Sequence, residues 1–195
     1  MEIFMGRRRD IDKGFWMSFE NHPRLEKTKE IVYKRCVPCL EKLVGQLLQS
    51  PNVLSLDEPL DCWKVIVVLN ELDECFELLE LFQDELSFAP EVVRGRVGSN
   101  NKNSPKTVVI FQMNDREEKE RIMADVTKMV QKITSQYSIY DERGCQDIYG
   151  VLCGDWRKWD KITPIKNRES IPAMSARIDK LLRGDFAPDA EEAKT

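Results

Sequence analysis

From residue 61 onward the apolar positions alternate between two periods. Residues 61–70 contain Cys62-Trp63-Lys64-Val65-Ile66-Val67-Val68-Leu69, a short run rich in β-branched side chains that predicts a buried strand. Residues 72–86 place Cys75, Phe76, Leu79 and Phe82 on one helical face, with Glu74, Glu77, Glu80, Asp84 and Glu85 largely off it. That spacing predicts an amphipathic helix with Asp73 as N-cap. Residues 91–97 read as a short strand and 98–105 as a loop of Gly, Ser, Asn and Pro. Residues 106–113 read as a second buried strand, so the two strands form a hairpin with a long tip. Asn114 or Asp115 then caps a helix to about Thr134, whose stripe is Ile122, Met123, Val126, Met129, Val130 and Ile133. Two segments compete for the closing strand, Tyr137–Tyr140 and Ile148–Cys153.

The order strand, helix, strand, strand, helix, strand predicts an α+β fold. With right-handed crossovers, both helices lie on one face of a four-stranded antiparallel sheet, a ferredoxin-like α/β plait over residues 61–153. Residues 1–22 show no clean period and read as an arm. Residues 23–50 read as a helical segment packing on the core, either two helices meeting near Val37 or one helix kinked at Pro38, because proline removes a hydrogen bond and clashes one turn back. Residues 154–195 read as a C-terminal extension: a loop with aromatic anchors, a short helix over Ile171–Leu182 and a polar tail.

Composition changes this picture little, and charge changes it more. The 195 residues carry a net charge of −4, but residues 51–90 hold one basic and ten acidic side chains while residues 1–50 hold ten basic and seven acidic. A nucleic-acid contact would therefore be a local patch and not the whole surface. No apolar run reaches the roughly 20 residues of a membrane span, and no secretory pattern opens the chain, so the expectation is a cytoplasmic protein with no membrane contact.

Catalytic chemistry finds few residues to use. Phosphate-binding glycine loops are absent, and the single histidine, His22, limits triad arrangements. Cys36 and Cys39 have the C-x-x-C spacing of a dithiol or of half a metal site. No second such pair exists, so they are metal or redox candidates beside the plainer reading of small core residues. Neither catalytic residues nor a cofactor are expected, and the chain reads as a binding module and not an enzyme.

The hairpin carries the main binding signal. Arg94 and Arg96 share a sheet face by the two-residue period, Lys64 joins that face, and Lys102 and Lys106 border the polar tip. Arginine and lysine on an uncovered sheet face suit phosphates and bases, with Arg7, Arg8 and Arg9 as a second contact. Arg96-Val97-Gly98, then Pro105-Lys106-Thr107-Val108-Val109-Ile110-Phe111, then Glu118-Lys119-Glu120-Arg121-Ile122, resembles the hairpin and second helix of the RRM-like domain in nucleic-acid chaperones of non-LTR retrotransposons. The resemblance covers about residues 88–130 and implies nucleic-acid binding. Trp16, Phe19, Trp156 and Trp159 are candidate anchors for a protein partner or a second copy of the chain. The leading expectation is RNA binding through the hairpin and sheet face. The alternatives are a protein–protein adaptor or complex subunit, and a cysteine-based metal or redox protein.

Overall fold

The structure is a computed structural model that describes residues 1–184 except 12, 50–51, 86–91 and 102–105. Lys102, the hairpin tip around it and the polar tail lie outside the described residues. The elements in chain order are β1 (Phe4–Met5), β2 (Arg9–Ile11), β3 (Gly14–Glu20), α1 (Glu26–Ile31), a π-helical stretch (Val32–Cys36), α2 (Val37–Gln49), β4 (Val53–Ser55) and α3 (Glu58–Asp61). They continue as β5 (Trp63–Leu69), α4 (Leu72–Glu85), β6 (Arg94–Ser99), β7 (Thr107–Met113), α5 (Arg116–Ile133), β8 (Ser138–Arg143), α6 (Gln146–Cys153), β9 (Ile162–Pro164) and α7 (Ile171–Gly184). The described chain divides into two compact units: Met1–Thr28 with Asp61–Gly144, and Lys29–Leu60 with the residues from Cys145 onward.

The first unit is mixed α+β, built on an open antiparallel sheet in the order β1-β3-β6-β7-β5-β8, with β2 also on β3. Both helices meet one face of it. Phe82 of α4 packs on Phe111 at 5.0 Å between ring centroids, and Lys119 of α5 lies over the Trp63 ring at 4.7 Å. Burial alone would disfavour the Lys119 ammonium, but the carboxylates of Asp141 and Glu120, both at 2.8 Å, outweigh it and raise its pKa. Asp115 caps α5 by accepting from the Glu118 N–H.

Several expectations change. The arm is not irregular: Gly14–Glu20 is a strand beside β6, so the sheet has seven strands and not four. Its alternation is hidden because both faces carry large side chains, Phe15, Met17 and Phe19 on one and Trp16 on the other. Of the two closing candidates, the first becomes β8 and Ile148–Cys153 falls within helix α6. Asp73 lies inside α4. Glu74 reaches back instead and accepts from the Asn70 and Glu71 N–H groups, capping the helix from within. The helical backbone passes Pro38 without a break. The ring removes one hydrogen bond, and the turn before it widens so that the Val37 N–H bonds to the Val32 carbonyl.

The sheet depends on two glycines in β6. Phe19 lies opposite Gly95 and Trp16 opposite Gly98, on opposite faces. A Cβ on Gly95 would meet the Ile110 carbonyl oxygen and stand 2.5 Å from Phe19 Cζ. A Cβ on Gly98 would meet the Phe15 carbonyl oxygen and stand 2.8 Å from the Trp16 ring. Each ring covers backbone that a side chain would otherwise hide.

The second unit surrounds a core of Leu40, Leu43, Leu47, Leu54, Leu56, Tyr149, Leu152, Trp159, Met174 and Ile178, with β4 and β9 as a two-stranded sheet.

Replacing Gly95 or Gly98 by Ala forces a methyl group against fixed backbone. Each variant is expected to lose about 1–3 kcal/mol or more of stability in urea unfolding, as overpacked sites do. A wild-type midpoint for both would show that these rings do not sit on the glycines.

Candidate nucleic-acid interface

On the sheet face away from α4 and α5, the register sets Arg9, Trp16, Gly98, Val108, Val68 and Ser138 in one row. The next row is Ser18, Arg96, Ile110, Ile66 and Tyr140. Trp16 is the best-defined polar–aromatic group there. Its ring lies over Gly98, the Arg96 guanidinium stands 4.4 Å from its centroid, and its Nε1–H donates to Asn100 Oδ1 at 3.2 Å. On the opposite face Arg8 lies over Phe15 at 4.1 Å and donates to Asp10.

These contacts bring together two stretches that are far apart in sequence. Gly14 lies directly against Ser99 and Asn100, so the start of β3 sits beside the outer end of β6. The Gly6 N–H bonds to the Ser18 carbonyl at 2.7 Å and folds the arginine run back along β3. Arg7, Arg8, Arg9, Lys13 and Lys106 are exposed and Arg96 is half-buried. By sequence, residues 6–18 and 95–108 carry seven basic side chains against two carboxylates, Asp10 and Asp12. A chain of net charge −4 thus holds a local cationic corner.

The other sequence candidates go elsewhere. Arg94 is 5% exposed and donates from Nη2 to Asn114 Oδ1 at 3.0 Å, so it cannot meet a ligand at the surface. Its register partner Glu20 is fully buried and accepts from the Thr28 N–H and hydroxyl at 2.7 and 2.5 Å. Lys64 does share the face with Arg96, but it is largely covered and paired with Glu142 at 3.0 Å. Between Lys64 and the corner the face is aliphatic: Ile66, Val68, Val108 and Ile110.

Among the aromatic candidates, Phe19 is fully buried and stacks edge-on with Phe111. Trp159 is in the core of the second unit, with its Nε1–H donating to the Gly154 carbonyl, and Trp156 packs against that core. All three are explained by packing within the chain, and Trp16 alone joins the cationic corner. Among the described residues no group of three or more His, Cys, Asp or Glu is arranged to hold a metal ion. No described helix is long and apolar enough to cross a membrane.

Sequence reasoning missed Lys13 and the link between arm and hairpin. The available signal was the pair of glycines in β6, Gly95 and Gly98, which leave room for rings from a neighbouring strand. No protein-family model, no curated protein and no solved structure matches this chain.

The two arginines of β6 are separated by one substitution each. Arg94→Ala leaves buried acceptors behind and is expected to cost about 1–3 kcal/mol in urea unfolding. Arg96→Ala, nearer the surface, is expected to cost less than about 1 kcal/mol. Equal losses would contradict this division into interior and surface roles.

Proposed function

We propose that this protein binds nucleic acid, with single-stranded RNA as the first ligand, through the corner formed by Arg7, Arg9, Lys13, Trp16, Arg96 and Lys106. The fold reading that accompanies it is a ferredoxin-like plait, with β5-α4-β6-β7-α5-β8 as the core and the arm strands added beyond β6. The observation that carries the proposal is the convergence of the arginine arm and the hairpin around the Trp16–Arg96 stack. Guanidinium and ammonium groups supply phosphate contacts, and the exposed parts of the stacked pair offer flat surface to a base. The aliphatic middle of the sheet face confines phosphate contacts to the corner.

Fluorescence anisotropy with a labelled oligonucleotide tests the proposal. With about three phosphate contacts on a single strand, raising salt from roughly 50 to 200 mM should weaken binding about 20-fold. Arg9→Ala with Arg96→Ala should weaken binding and flatten the salt slope by about 1.4, while Lys128→Ala on α5 should leave both unchanged. Absence of salt-dependent binding at micromolar protein would remove the proposal.

A further inference from the structure

Within the second unit, Cys36 ends the π-helical stretch and Cys39 lies in the first turn of α2. Three residues apart on a helix, their Cα atoms are about 5 Å apart, inside the range a disulfide spans. The two thiols differ in environment. Cys36 is half-buried and follows Lys34 and Arg35, whereas Cys39 is 7% exposed and its Sγ lies 3.3 Å from the Tyr149 hydroxyl. Neither is joined in a disulfide in the structure. The turn that ends at Cys36 departs from α geometry, and such π segments recur at functional sites.

We infer that Cys36 and Cys39 form a thiol–disulfide exchange couple that closes to an internal disulfide by reaction with a low-molecular-weight disulfide. This goes beyond nucleic-acid binding and does not depend on it. In the first step the Cys36 thiolate attacks one sulfur of the small disulfide. That S–S bond breaks, a small thiolate leaves and takes up a proton, and Cys36 carries the other half as a mixed disulfide. In the second step the Cys39 sulfur attacks the Cys36 sulfur and the second small thiolate leaves with the Cys39 proton. The two protein thiols lose two electrons, and the small disulfide gains them as two thiols.

The polar partner of Cys39 fits the second step. Burial raises the Cys39 thiol pKa, and the Tyr149 hydrogen bond opposes that rise. Burial also raises the Tyr149 pKa, so its hydroxyl stays protonated and donates to a forming Cys39 thiolate. At the other buried cysteines no tyrosine hydroxyl offers this hydrogen bond, and the Lys166 charge offsets the rise at Cys153 only in part. Burial pushes Cys75 up to about 12 and Cys153 up to about 11, which leaves them as unreactive thiols at neutral pH.

The full chain, equilibrated with oxidised and reduced glutathione, trapped with an alkylating agent and digested with trypsin, gives the test. Cleavage after Arg35 and Lys42 leaves both cysteines on one peptide, while Cys62 and Cys145 fall on others. The expected product is that peptide lighter by two hydrogens and refractory to alkylation. Cys39→Ser should accumulate one glutathione on Cys36, Cys36→Ser should give neither adduct nor disulfide on this peptide, and Tyr149→Phe should slow closure about tenfold. A natural chain that keeps glutathione on Cys36 without closing, or in which neither cysteine reacts, would overturn the inference. Cys36→Ser changes a half-buried position, and a circular dichroism spectrum matching wild type keeps its result interpretable as chemistry.

Discussion

The pairing of β3 with β6 rests on aromatic rings covering glycines. Phe19 over Gly95 and Trp16 over Gly98 lock the two strands from opposite faces. A slip of one residue would move both rings off their glycines and turn every side chain of β3 to the other face. The same contact decides the interior and the surface. Phe19 completes the apolar cluster with Phe111 and Phe82, while Trp16 becomes the flat base on which Arg96 is held.

That lock is also what gives the chain a cationic region. Residues 51–90 are strongly acidic and the total charge is negative, so a uniform surface would repel polyanions. Folding separates the signs. The arginine run is carried to the end of β6 by β2 and β3, and the acidic side chains of α4 belong to an element packed on the other side of the sheet. Both outer edges of the sheet are poorly suited to further strand pairing. One is broken into strands of two and three residues, and the other, β8, aims Asp141 and Arg143 toward Lys119 and Trp63.

The elements from residue 61 to 133 were legible in the sequence because each has a single strong period. The Trp63–Leu69 and Thr107–Met113 runs are continuous and apolar, and α5 has both a capping Asp115 and a clean stripe. The arm was not legible, since a strand with large side chains on both faces loses its alternation. The choice between Tyr137–Tyr140 and Ile148–Cys153 could not be made locally: the latter is apolar enough for either state, and long-range packing made it helical. Arg94 and Arg96 share a period and still part company, because Arg94 sits where Glu20 and Asn114 close over it. Periodicity assigns a face but not a depth.

The arm and its docking strand are distant in sequence: Trp16 and Asn100, which share a hydrogen bond, are 84 residues apart. During synthesis the first residues leave the ribosome long before Gly95 and Gly98 exist to receive their rings. The arginine-rich stretch therefore waits about 80 residues of synthesis for its register partner, and the indole and phenyl groups of β3 stay uncovered through that interval. Seating the arm is a late, high-contact-order event that can begin only after the sixth strand emerges.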